Sequence, residues 1–140
     1  MLLHIVARGR IGRGPEAELV TRYLDRVGWP TRVTELPDRV GRVPPLPPGA
    51  RTILLDEAGA ILGSIAFAER LGRWREDGVR EARFLIGAAH GFDDAARRQA
   101  DLLVSFGRMT WPHMLVRAML AEQLWRATSI LAGHPYHREG

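Results

Sequence analysis

The sequence predicts an α/β domain built on a mainly parallel sheet with helices on both of its faces. Two observations carry that expectation. Short runs rich in Val, Ile and Leu alternate along the chain with longer stretches whose apolar residues recur at three and four. That order builds parallel strands joined by crossover helices. The later runs, such as Thr52-Ile53-Leu54-Leu55 and Phe84-Leu85-Ile86, are continuously apolar rather than alternating, as strands covered on both faces are. A chain of 140 residues that is 46% hydrophobic and 26% charged fits one domain over residues 1–140 with one core.

Leu2 to Ala7 supplies the first strand. Arg8-Gly9-Arg10-Ile11-Gly12-Arg13-Gly14 follows as a basic loop, read either as a solvated turn or as a contact for RNA phosphates; its glycines lack dinucleotide-fingerprint spacing. Pro15 suits the first turn of a helix, with Glu16 and Glu18 at its positive end. Leu19, Val20, Tyr23, Leu24 and Val27 keep helical spacing until Gly28. Thr31 to Leu36 reads as a second strand, and Pro37 to Gly49, with five prolines, as a loop. Thr52 to Asp56 is a buried strand, and Asp56-Glu57-Ala58-Gly59 is expected to turn the chain. Ser64 is expected to cap a helix whose apolar side holds Ile65, Phe67, Ala68, Leu71 and Trp74. Arg83 to Gly87 and Leu102 to Phe106 are further strands, with a helix starting near Asp93 and Asp94 between them. The last helix runs from about His113 to Ala132, with Val116, Met119, Leu120, Leu124, Ala127 and Leu131 as its core stripe. Arg117 and Glu122 interrupt that side, and Glu122 is spaced to pair with Arg126.

The net charge is +4, and all twenty basic residues are arginine. Every cation is therefore a planar fork suited to phosphates and to stacking on bases, which points toward nucleic acid. No apolar run approaches the roughly 18 residues that span a bilayer, so no membrane is expected. The first residues read as a strand and not as a leader, which favours the cytoplasm. With no cysteine, thiol nucleophiles, disulfides and thiolate metal sites are excluded. The five histidines lack His-Glu-x-x-His spacing, so no metal is expected, and no Gly-x-Ser-x-Gly elbow exists.

Ligands of parallel α/β sheets bind beyond the carboxyl ends of the strands. Three such ends gather here: Leu55-Asp56, Gly87-Ala88, and Gly107 to Pro112. Ile86-Gly87-Ala88-Ala89-His90-Gly91 is either a tight turn or a place where small side chains admit a ligand to the backbone amides. The last eight residues, Gly133-His134-Pro135-Tyr136-His137-Arg138-Glu139-Gly140, are far richer in functional groups than an ordinary chain end.

Thr110-Trp111-Pro112-His113-Met114-Leu115-Val116-Arg117, then Ala121-Glu122-Gln123-Leu124-Trp125-Arg126-Ala127, then His134-Pro135-Tyr136-His137-Arg138-Glu139 carry a resemblance. The chain resembles the ribosomal large subunit methyltransferase H family over nearly its whole length, and that family is similar to other SPOUT-class RNA methyltransferases. The resemblance implies a C-terminal trefoil knot, and S-adenosylmethionine as cofactor, bound at Leu55, at Gly87 and Ala88, and at Gly107, Arg108, Met109, Thr110, Trp111 and Pro112. It implies a homodimer that methylates N3 of pseudouridine 1915 in helix 69 of 23S rRNA on the assembled ribosome. The tail would then face the substrate through His134, Tyr136, His137 and Arg138. His134, His137 and Glu139 all qualify as the proton acceptor, Tyr136 suits stacking on a base, and Arg138 suits a phosphate. A clasp between subunits is the competing role for the same residues. One departure stands out: the family's Ile-Gly-Gly-Pro-Glu-Gly is Ile86-Gly87-Ala88-Ala89-His90-Gly91 here. If the second glycine requires positive φ, Ala88 costs about 1 kcal/mol. That departure leaves a second reading open, a ribosome- or RNA-binding homologue with weakened catalysis.

Overall fold

The structure, a computed structural model, describes residues 1–38, 42–87 and 92–135. Five strands, β1 (Leu2–Arg8), β2 (Thr31–Leu36), β3 (Arg51–Ile61), β4 (Glu81–Ile86) and β5 (Leu102–Ser105), form one sheet in the order β2-β1-β4-β3-β5. Every pairing is parallel, so all the strands point their carboxyl ends at one edge. Among the described residues four helices accompany them: α1 (Pro15–Leu24), α2 (Ser64–Glu76), α3 (Asp94–Gln99) and α4 (His113–Leu131). The α/β class and the parallel sheet are as the pattern of apolar runs predicts.

Strand alternation sorts the sheet into two faces. Leu3, Ile5 and Ala7 of β1 join Ala82, Phe84 and Ile86 of β4 in the main core, under Phe67, Leu71 and Trp74 of α2 and Leu120 and Leu124 of α4. The opposite parity puts His4, Glu81 and Arg83 together on the other face, each buried. Their polar groups are paired: Glu81 accepts from Arg83 Nε at 2.9 Å and meets His4 Nδ1 at 3.2 Å. The Arg83 guanidinium also donates to the carbonyls of Pro44 and Pro45, at 2.5 and 3.3 Å. The proline-rich connection between β2 and β3 is thereby fastened to the sheet, and a strand-interior arginine is accommodated because its donors are satisfied.

Several elements differ from expectation, each for a local reason. α1 ends at Leu24, and Asp25 to Val27 continue as hydrogen-bonded turns, leaving Val27 to pack on the core from outside the helix. Ser64 is the first residue of α2 and not its cap; Gly63 holds that position, and the Ser64 hydroxyl donates to Gln123 Oε1 of α4 at 2.8 Å. β4 begins at Glu81, ahead of Arg83, because the ion pairs just described let charged residues sit in a buried strand. β3 does not stop at the expected turn. Both Leu55 and Ala60 pair with Val104 of β5, so residues 56 to 59 bulge out and the strand resumes beyond them. Gly59 makes this possible, since a Cβ there would stand 2.7 Å from the backbone of Leu103 and Val104.

The buried side of α4 is broader than a single stripe. Leu120, Leu124 and Ala127 face the main core, and Ala118 and Ala121 pack with Val20 of α1. Leu131 is exposed and Met119 only half-buried, contrary to the expected stripe. The reason is that α4 lies between α1 and α2 and contacts both, so its covered arc includes small residues that periodicity alone does not weight. Arg117, expected to interrupt the stripe, is 1% exposed.

Candidate functional site

Beyond the bulge in β3 and the carboxyl ends of β4 and β5 lies a cavity of about 520 Å3. Leu55, Ile86, Val104 and Phe106 supply apolar walls from the sheet, and Val116 closes the α4 side. The segment from Met109 to Pro112 forms a rim leading into α4. A cavity of this volume, largely apolar with a few polar groups, suits a ligand the size of a nucleoside carrying an amino-acid tail.

Most of the expected cofactor residues meet here. Leu55, Gly87, Gly107, Met109, Thr110, Trp111 and Pro112 all line the cavity. Arg108 is exposed and does not line it. Ala88 lies outside the described residues. The loop after β5 is fixed by its own backbone: the Ser105 hydroxyl donates to the Gly107 carbonyl at 2.8 Å and accepts from the Gly107 amide at 3.1 Å. Gly107 has φ +114, a conformation that side chains with a Cβ rarely adopt. Trp111 Nε1 donates to the Phe106 carbonyl at 3.3 Å, which holds the far end of the loop over the cavity.

Asp56 was expected here beside Leu55, while several other lining residues were not singled out from sequence. The bulge in β3 turns Asp56 and Glu57 toward the cavity. Asp56 Oδ1 accepts from the Ala58 amide at 2.8 Å and Oδ2 from Arg97 Nε at 2.8 Å. The hydrogen bond to Asp56, and then the charge of that carboxylate, raise the Arg97 pKa above its ordinary value, so Arg97 stays a cation. His113, read as a helix-start residue, is that and also lines the cavity. Asp56 was read from sequence as part of the site; nothing in the sequence marks Glu57 or Arg97.

Next to this cavity the glycine–arginine loop is tied down. Arg117 donates from Nη1 to Glu35 and from Nη2 to the Gly9 carbonyl at 3.0 Å, while the Ile11 amide donates to the same Glu35 carboxylate at 2.8 Å. Burial pushes the Glu35 carboxyl up, but the Ile11 amide and the Arg117 guanidinium outweigh it and hold the group below its ordinary value. A Cβ on Gly9, whose φ is +91, would stand 2.8 Å from Asp38 Oδ1 and 3.1 Å from Met114 Cε. The loop therefore runs against the start of α4, and its Arg10 and Arg13 are exposed.

Of the expected substrate-facing residues, His134 is described and exposed, one turn past the end of α4. Tyr136, His137 and Arg138 lie outside the described residues. From Val116, which lines the cavity, α4 runs on to Leu131, a rise of about 22 Å. The five residues after Pro135 span at most about 18 Å when fully extended.

The whole chain has known relatives. A family model described as "Predicted SPOUT methyltransferase" matches residues 1–137. A protein of Rhizorhabdus wittichii named ribosomal RNA large subunit methyltransferase H is 76% identical over 140 residues, covering all of both chains. Proteins of the same name from Novosphingobium aromaticivorans and Sphingopyxis alaskensis are 69% identical over 143 residues and 66% identical over 140, with all of this chain and at least 99% of each relative covered.

Proposed function

The chain belongs to the SPOUT methyltransferase family, and from that premise we propose that it transfers a methyl group from S-adenosylmethionine to N3 of pseudouridine 1915 in helix 69 of 23S rRNA. On this reading it acts as a homodimer on assembled ribosomes in the cytoplasm, and carries the family's C-terminal knot. The name shared by its relatives supports large-subunit rRNA as the substrate. The observation that carries the reading is the cavity: the strand ends and the loop that the family resemblance assigns to the cofactor surround one space of suitable size and polarity.

S-adenosylmethionine, when bound, supplies a methyl group on a sulfonium that is already a good leaving group. The chain's own work is then alignment, exclusion of water and removal of one proton. Leu55, Ile86 and Val104 would hold the adenosine part by apolar contact, and the amides of Gly87 and Gly107 lie where a ligand reaches the backbone closely. Trp111 and Met109, 40% and 76% exposed, would cover the open side. Within one chain the tail begins at the end of α4 remote from the cavity, which favours its delivery to a second copy. A second copy would therefore present Tyr136, His137 and Arg138 to the first copy's cavity. There Tyr136 stacks on a base, Arg138 holds a phosphate, and His134, His137 or Glu139 accepts the N3 proton. Arg10 and Arg13 of the tethered loop extend the same edge with positive charge toward the RNA backbone.

The test is methyl transfer to ribosomes that lack this modification, with the modified nucleoside located by mass spectrometry. Transfer to N3 at that position is the expected result, and transfer elsewhere or none rejects this substrate. The altered Ala88-Ala89-His90 favours one second reading, an RNA-binding homologue with weakened catalysis. Calorimetry decides between them: absence of S-adenosylmethionine binding at millimolar concentration sinks the enzyme reading.

A further inference from the structure

Arg97 is the only guanidinium among the described residues that line the cavity. It stands on α3, one side chain away from the sheet, yet its position is set by the sheet. The carboxylate that holds it, Asp56, has a side chain only 4% exposed, while that of Arg97 is 39% exposed. Asp56 is in turn fixed by the β3 bulge, through its bond from the Ala58 amide. A buried carboxylate thus presents a charged fork to the cavity with Nε spent on Asp56 and Nη1 3.6 Å from Asp94 Oδ1. The remaining N–H groups of the fork have no hydrogen-bond partner among the described residues. Asp56, Glu57 and Arg97 form one contiguous charged corner, and apolar side chains of β3, β4 and β5 line the cavity beside it.

Resting on the reading of the cavity as a S-adenosylmethionine site, we propose that Arg97 is a specificity-determining residue that binds the carboxylate of the cofactor's amino-acid end, with Asp56 as its positioning residue. The adenosine portion carries no charge and suits the apolar walls. The amino-acid end is a zwitterion and needs charged partners once it leaves water. A guanidinium held on one edge has lost part of its rotational freedom before the ligand arrives, and its free edge matches a carboxylate in geometry. Arg97 would therefore distinguish ligands that keep the amino-acid end from those that lack it.

Calorimetry on the full chain with two ligands tests this. S-adenosylhomocysteine keeps the α-amino-carboxylate, and methylthioadenosine has the same adenosine and thioether without it. The wild type is expected to bind the first more tightly. Arg97→Gln should weaken S-adenosylhomocysteine by about tenfold or more, the size of a lost hydrogen bond to a charged group, and leave methylthioadenosine within about twofold. Arg97→Lys, which keeps the charge without the fork, should fall between. Unchanged methylthioadenosine binding also reports that the variant's cavity is intact; if Arg97→Gln fails to fold, the Lys variant carries the same comparison. Equal losses for both ligands, or no loss for either, overturn the proposal by giving Arg97 a structural role or none. A wild type that binds neither ligand overturns the cofactor reading itself, and the role of Arg97 with it.

Discussion

At the scale of single residues, the site depends on a few backbone and charge positions. Gly107 is one of them. Its φ of +114 strains any residue with a Cβ, although no atom lies within 4 Å of where that Cβ would be. Gly107→Val is therefore expected to distort the loop that Ser105 braces, lowering cofactor affinity at least tenfold in calorimetry, with a stability loss of about 1 kcal/mol or more. A substitution that keeps full affinity would mean the loop's conformation does not matter to binding. Glu35 gives a pH-dependent expectation. Its carboxyl is held below its ordinary value near 4.5, so the folded state favours the ionised form. Stability from this group is fully present above that value and is lost as pH falls through the lower folded value. Glu35→Gln should lower the unfolding midpoint at pH 7 and reduce the loss of stability between neutral pH and about pH 3, as read by denaturant titrations. Residues of this kind were unevenly legible. Gly87 and Gly107 follow apolar runs and so mark strand ends, whereas Leu55, read the same way, lies at a bulge within β3. Arg97 and Arg117 look like any other arginine, because their burial and partners come from segments 41 and 82 positions away.

At the scale of elements, β3 and α4 decide where the site lies. Asp56-Glu57-Ala58-Gly59 has the composition of a turn, and locally it behaves as one, with the Asp56 carboxylate accepting from the Ala58 amide. The strand nevertheless resumes because β5 offers a second round of pairing at Val104 and Ser105. That competition between turn chemistry and a neighbouring strand cannot be read from the segment itself. Gly59→Val tests it: the side chain would strike β5 backbone at 2.7 Å, so an unfolding midpoint corresponding to a loss of about 1–3 kcal/mol is expected. A value within error of wild type would show that the second half of β3 pairs too weakly to matter. α4 was legible in extent but not in its buried face. Two helices and the sheet cover it, so Ala118, Ala121 and Arg117 are buried where a one-sided stripe predicts Met119 and Leu131.

At the scale of the whole molecule, the separation between cavity and tail is the controlling fact. α4 starts at the cavity and carries His134 away from it. In the proposed two-fold dimer each copy would lend its tail to the other. Tyr136→Ala and Arg138→Ala should then reduce methylation with little change in cofactor affinity, the reverse of Gly107→Val. Co-expressing Gly107→Val with Arg138→Ala, under separate tags, should give mixed dimers with activity that neither homodimer has, because one intact cavity meets one intact tail. Mixed dimers as inactive as their parents would place tail and cavity in the same subunit. The sequence by itself determined the class, the parallel sheet, the order of elements and the ends of β4 and β5 that border the cavity, because these follow from local periodicity and turn chemistry. It also determined the family, through motifs that are contiguous in the chain. Only the tertiary structure decided that β3 bulges, that a buried Asp56 aims Arg97 at the cavity, and that α4 ends away from the cavity at which it starts. Those outcomes depend on contacts between distant segments, whose energies no local stretch of sequence contains.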